Sequence, residues 1–249
     1  MPTDPVEFSV VTLFPEMFCA LTDWGVTGRA HRQALWSLSL HNPRDYAADK
    51  HGSVDDRPYG GGPGMVMTAP VLDAVVAAAK GAVSGKPTVV ALTPQGERFS
   101  AAVVESLLQA DGVVLVAGRY EGMDERFIER SVDLELSLGD YVVSGGELPA
   151  MLVMDAMIRQ IPGALGHEGS AREDSFVHGL LDWPHYTRPE VYEGSAVPEV
   201  LLSGDHGAIA GWRRAQALRR TMARRPDLVT FEALAPEDVE LLKQWTLDE

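Results

Sequence analysis

The sequence is notable first for what it lacks. Cys19 is its only cysteine in 249 residues. One thiol closes no internal disulfide and excludes a Cys-based zinc site, and a reducing cytoplasm suits such a chain. No run of about 18 apolar residues occurs, so no membrane-spanning helix is expected. The opening MPTDPVEF carries acids and no basic stretch ahead of an apolar core, so it does not read as a signal peptide. A GxGxxG opening a helix, an HExxH and a GxSxG are all missing, as is any Cys/His cluster of ligand spacing. The scattered histidines read as surface or hydrogen-bonded residues. Basic residues are scarce: 21 Lys and Arg stand against 36 Asp and Glu, for a net charge of −15. Averaged over the chain, that charge works against a nucleic-acid partner, because phosphate binding needs a positive field.

The remaining composition is that of a globular protein, with enough length for one large domain or two smaller ones. No internal repeat or low-complexity tract is evident. In the first half, short β-type runs alternate with helical ones. FSVVTLF (8–14), TVVAL (88–92), VVLVAG (113–118) and VDLEL (132–136) predict strands. PVLDAVVAAAK (70–80) predicts a helix with proline at its start, and SAAVVESLLQ (100–109) one capped by Ser100. This alternation is that of an α/β domain with a largely parallel sheet. ELPAMLVMDAMIRQ (147–160) predicts a helix apolar on most sides, buried in a core or at a subunit interface. The period then fails over residues 162–178, which read as an interdomain linker. Residues 1–161 form the expected first domain. Residues 179–249 form the second, turn-rich and then helical from about Gly204.

Two local features run against the averages. WRRAQALRRTMARR (212–225) holds six arginines and no acid. On a helix Arg213, Arg220 and Arg224 fall within roughly 40° of one another, flanked by Arg214 and Arg225, while Ala215, Leu218 and Met222 form an apolar strip. A solvated helix face would look similar, but in so acidic a chain this stretch points to an anionic partner. The second feature is RPYGGGPGM (57–65). Walker-type chemistry needs Lys and Ser or Thr after the last glycine, and Met65 follows instead. A mobile turn is the plain alternative. Asp55, Asp56, Arg57 and Tyr59 beside a bare backbone instead describe a loop that closes on a flat, polar ligand.

Three β-type runs end in glycine-containing loops: TPQGE (93–97), GRYEGMDER (118–126) and LGDYVVSGGELPA (138–150). In open α/β sheets, ligands lie outside the carboxyl ends of the strands. These words, with LFPEMF, VTGRA, DDRPYGGGPGM, EDSF and PHYTRPE, occur in order from residue 13 to residue 190. Through them the chain closely resembles the bacterial tRNA (guanine-N1)-methyltransferases, the TrmD family, over nearly its whole length.

The resemblance implies an α/β fold of the SPOUT type. S-adenosylmethionine would lie bent inside a deep trefoil knot, and a small helical C-terminal domain would bind tRNA. It also implies a cytoplasmic homodimer, with active sites shared between chains, that methylates N1 of guanosine 37. Nothing in periodicity alone predicts a knot. Carried over residue by residue, the donor is gripped by Leu92, Pro94, Gly118, Tyr120, Glu121, Leu138, Gly139, Asp140, Tyr141, Val142 and Val143, and enclosed by Gly145, Gly146 and Pro149. RNA contacts fall to Asp55, Arg57, Gly60, Gly61 and Gly62 and to Arg213, Arg220 and Arg224. The glycine loop would lie against the target purine.

N1 of guanine is protonated at neutral pH, so methylation calls for a general base and for stabilisation of charge on O6. The resemblance assigns these roles to Asp174 and Arg159. From the residues alone, Asp174 is a linker carboxylate, and Arg159 has the i, i+4 spacing of an ion pair with Asp155. The family is also associated with magnesium, for which the sequence offers no ligand cluster. A non-catalytic RNA-binding protein and a related enzyme acting on another nucleoside are the rival readings; the intact loops and Asp174 speak against the first.

Overall fold

The computed structural model describes residues 5–166, 174–177, 179–229 and 234–244. The chain divides into two compact units, Met1–Glu168 and Gly169–Glu249. Residues 167–173 and 178, which belong to the expected linker, lie outside the described residues.

The first unit runs β1 (Val6–Val11), α1 (Cys19–Thr22), α2 (Gly25–Arg32), β2 (Trp36–His41), β3 (Asp55–Asp56), β4 (Val66–Met67), α3 (Ala69–Gly81), β5 (Thr88–Arg98), α4 (Ala101–Leu107), β6 (Val113–Ala117), α5 (Glu125–Ser131), β7 (Leu134–Ser137) and α6 (Glu147–Ile158). Its main sheet has the order β2-β1-β6-β5-β7, with every pairing parallel. β6 reads VVLVA and is buried along its whole length, as a central parallel strand covered on both faces must be. Strand alternation divides its side chains between two cores. Val113 and Leu115 join Phe8, Val10, Leu136 and the α6 residues Val153, Met154 and Met157. Val114 and Val116 join Val11, Phe127 and the α3 residues Leu72, Val75 and Val76. The result is three layers, helix on sheet on helix.

Several boundaries differ from the sequence reading, each for a local reason. β1 ends at Val11 rather than Phe14, because the Thr12 hydroxyl takes the Phe14 amide at 3.0 Å and turns the chain before Pro15. Ser100 stands at the start of α4, but its side chain makes no capping bond. α6 ends at Ile158, two residues early. β5 continues to Arg98, because Thr93–Gly96 loop out between two residues that both face Leu136. Gly96 permits this, since a Cβ there would lie 2.4 Å from the backbone of Glu135 and Leu136.

The second unit holds β8 (Val191–Tyr192), β9 (Ser195–Ala196), α7 (Glu199–Leu202), α8 (His206–Arg224) and α9 (Pro236–Gln244). Asp205 caps α8, accepting from the amides of Gly207 and Ala208 at 2.9 and 3.0 Å. α8 buries Trp212, Ala215, Ala217, Leu218 and Thr221, while Met222 is half-buried. Arg214 fastens α8 to α9 through two 2.8 Å bonds to the Asp238 carboxylate. That pairing holds the Asp238 carboxyl below its usual range.

A depressed carboxyl adds stability above its unfolded pKa and loses it as pH falls through the folded value. Asp238→Asn should therefore destabilise the second unit by about 1 kcal/mol at neutral pH, a figure already discounted because Arg214 is partly exposed. The difference from the parent protein should shrink below about pH 4. Hydrogen exchange of the α8 amides across that pH range measures it.

Candidate functional site

The carboxyl ends of β5, β6 and β7 open into a cavity of about 430 Å³. Of the residues expected to grip the methyl donor, all line this cavity except Gly139 and Asp140. Gly139 is buried beneath it, with φ near +147° and its amide and carbonyl both bonded to the Ser137 hydroxyl. The lining also includes residues that the sequence reading passed over, among them Gln95, Arg119, Glu135 and Ser144.

The loops around the cavity are held close by bare backbone. The Gly146 amide donates to the Gly118 carbonyl at 2.8 Å. A Cβ on Gly146 would lie 2.6 Å from the Ala117 Cα, so only glycine lets the chain after β7 lie against the end of β6. Gly145 is bare for a related reason: a Cβ there would meet the Arg119 guanidinium.

Arg119 is the residue around which these loops are arranged. Its Nη2 lies 2.7 Å from Oε2 of Glu147, an ion pair outside linear hydrogen-bond geometry. Its Nη1 donates to the Ser144 carbonyl at 3.1 Å, and its guanidinium lies 4.3 Å over the Phe14 ring. Glu147, at 1% exposure, accepts from the Thr12 hydroxyl at 3.0 Å on its other oxygen. One carboxylate thus joins the end of β1, the loop after β6 and the start of α6. Its signal in the sequence is an acid opening an otherwise apolar helix, which by itself reads as a helix start.

Gly60, Gly61 and Gly62 have nothing within 4 Å of a Cβ position, and their φ values are +87°, +78° and +117°. Left-handed backbone by itself selects glycine at these three positions. Gly64 alone in the run meets a neighbour, the Glu121 side chain. The hairpin of β3 and β4 is bonded to the loop flooring the cavity, with the Glu121 amide to the Met65 carbonyl and the Met67 amide to the Gly122 carbonyl, both at 2.9 Å. Asp55 is half-buried, and Arg57 is exposed. The Tyr120 phenol lines the cavity and is pushed above its usual range, first by burial and then by the Asp55 carboxylate, against the opposing pull of Arg44.

The two residues expected to do the chemistry lie in different units. Arg159 caps the C-terminus of α6, half-buried, its amide bonded to the Asp155 carbonyl at 3.0 Å. Asp174 lines a second cavity of about 430 Å³, within the second unit, with Leu181, Trp183 and Arg213.

The arginine helix is also less uniform than its sequence. Arg213 turns inward: its guanidinium stacks 4.9 Å over Trp183, and its Nε is buried without a partner. Arg214 is paired with Asp238 and Arg225 with Asp227. Arg220 is half-buried and Arg224 exposed, and neither forms an ion pair among the described residues.

A parallel sheet with helices on both faces and a glycine-lined cleft at its strand ends defines a class: open α/β domains whose ligand cleft lies outside the carboxyl ends of the strands. Comparison with known proteins gives the family. Residues 6–231 match the family described as tRNA (Guanine-1)-methyltransferase TrmD. A tRNA (guanine-N(1)-)-methyltransferase of Stutzerimonas stutzeri is 56% identical over 236 residues, covering 95% of this chain and 94% of the relative. That of Pseudomonas entomophila is 53% identical over 242 residues, 97% of each chain. One from Pseudomonas aeruginosa is 56% identical over 237 residues, 95% of this chain and 94% of its own. The chain belongs to the TrmD family.

Removing Arg119 would leave the Glu147 carboxylate buried and uncompensated. Arg119→Met should cost about 3 to 5 kcal/mol of stability in urea unfolding. Glu147→Gln keeps an acceptor for Thr12 and should cost less.

Proposed function

We propose that this protein transfers a methyl group from S-adenosylmethionine to N1 of guanosine 37 in tRNA. The observation that carries this reading is the cavity of the first unit. Its floor is glycine backbone set against the end of β6, and its walls at Leu92, Leu138 and Pro149 are apolar. Such a site suits a purine nucleoside with a short polar tail. Bound there, S-adenosylmethionine supplies an electrophilic methyl group. Backbone amides of the glycine loops orient it, and the Glu121 carboxylate offers a counter-charge to its cationic part.

The remaining chemistry belongs to side chains. Asp174 accepts the N1 proton, which makes N1 a competent nucleophile. Arg159 stabilises the charge that this places on O6. No group of three or more His, Cys, Asp or Glu suited to a metal ion occurs among the described residues, and no step of this reading is routed through magnesium.

Further parts of the reading rest on particular features. The Gly146–Gly118 contact, made by a chain that leaves β7 at the sheet edge and returns past β5 to β6, supports a threaded, knotted loop. Leu148 and Leu152, one turn apart on α6 and 57% and 47% exposed, support a homodimer formed on that helix, with active sites shared between its chains. No helix among the described residues is long and apolar enough to cross a membrane. Domain roles follow the two units, with cofactor chemistry in the first and tRNA binding in the second.

The test is product analysis. Mass spectrometry of digested tRNA should show one N1-methylguanosine, at position 37, formed only with S-adenosylmethionine. Methylation of another nucleoside would overturn the reading. Asp174→Asn should lower the transfer rate by about 100-fold or more, with donor affinity unchanged in calorimetry. A wild-type rate would remove Asp174 from the role of base.

The arginine helix makes a separate prediction. Arg220→Gln and Arg224→Gln should each flatten the log–log salt dependence of tRNA binding by roughly 0.7 to 0.9. Arg213→Gln should disturb the Trp183 stack and change that slope less. An unchanged slope in all three variants would make this helix an ordinary solvated face.

A further inference from the structure

The glycine run GGGPG contains two kinds of glycine. At Gly60, Gly61 and Gly62 a Cβ would project into open space. At Gly64 a Cβ would stand 2.4 Å from the Glu121 Cγ and 2.7 Å from its Cδ, with the Oε1 oxygen as close. The Glu121 side chain therefore lies flat on the bare Cα of Gly64. The contact is held from both sides. The Glu121 amide bonds the Met65 carbonyl, the Met67 amide bonds the Gly122 carbonyl, and the Asp124 amide returns to the Met67 carbonyl at 3.0 Å. β4 is in turn paired with β3, where Asp55 faces Met67. With both backbones pinned, a side chain at position 64 leaves one inexpensive escape, rotation of Glu121 about its own bonds.

We propose that Gly64 is a positioning residue for the methyl donor, acting through Glu121. The absence of a side chain at Gly64 fixes where the Glu121 carboxylate stands in the cavity. This inference rests on the reading of that cavity as the donor site. It assigns the conspicuous glycine run a divided task. The tip, Gly60–Gly62, is a backbone bend presented to the RNA, and Gly64 is the anchor that ties the bend to the donor's counter-charge.

Matched variants test it, with donor affinity measured by calorimetry on the full-length protein without tRNA. Gly61 and Gly64 have nearly the same left-handed φ, +78° and +79°, so alanine is held at an unfavourable φ at either position. Only at 64 does it meet Glu121. Gly64→Ala should weaken S-adenosylmethionine binding about tenfold, and Gly61→Ala should leave it unchanged. Glu121→Ala should itself weaken binding, and adding Gly64→Ala to it should weaken it no further, the signature of two residues acting through one contact.

If Gly64→Ala fails to fold, the double variant with Glu121→Ala should recover folding, because the obstructing side chain is gone. Wild-type affinity in Gly64→Ala would overturn the proposal. So would additive losses in the double variant, or a double variant that remains unfolded. Failure of the wild-type protein to bind S-adenosylmethionine would instead overturn the reading of the cavity itself.

Discussion

The architecture of the site depends on one buried carboxylate. Glu147 opens an apolar helix yet is almost inaccessible to solvent, bonded by Thr12 on one oxygen and ion-paired with Arg119 at the other. Burying an ion pair is costly and adds little net stability by itself. Its value here is geometric. Thr12 ends β1, Arg119 follows β6, and Ser144 and Glu147 lie in the segment that returns from β7. Three chain segments remote in sequence are thereby held against one another, and the cavity is the space between their glycines. Gly145 and Gly146 are bare because Arg119 and the end of β6 occupy the room that side chains would need.

The proposed function divides the work between the two units. In the proposed reading the first unit holds the small ligand, and there the central strand is buried along its length, the loops are joined by backbone bonds, and the β3–β4 hairpin is bonded to the cavity floor. The second unit gathers six arginines into residues 213–225, although its acids outnumber its basic residues as they do in the first unit, and part of that local charge serves the fold. Arg214 and Arg225 are bound to Asp238 and Asp227, and Arg213 packs on Trp183. What remains for an RNA phosphate is narrower than a count of six arginines implies.

Much of this was legible in the sequence because local physics controlled it. The buried strands are continuous apolar runs, α3 begins at a proline, and the three glycine loops stand at strand ends, so the α/β class and the place of the cleft could be read directly. A knotted fold and S-adenosylmethionine as donor, both parts of the proposed reading, could not, since they rest on family resemblance and not on periodicity. Arg119 and Glu147 were missed because a salt bridge between residues 28 positions apart leaves no spacing signature. The glycine run holds two kinds of position that sequence does not distinguish. Close approach and left-handed φ both select glycine, and only coordinates separate Gly64, which meets a neighbour, from Gly60–Gly62, which do not.

The central claim is that the cleft held by Arg119 and Glu147 is where the methyl donor sits. Hydrogen exchange with and without S-adenosylmethionine tests it directly, because amides that contact a bound ligand, or are fixed by it, exchange more slowly. The account predicts protection concentrated in residues 118–123 and 138–146, reduced in Arg119→Met. Protection confined to the second unit, or none in the loops after β6 and β7, would contradict it.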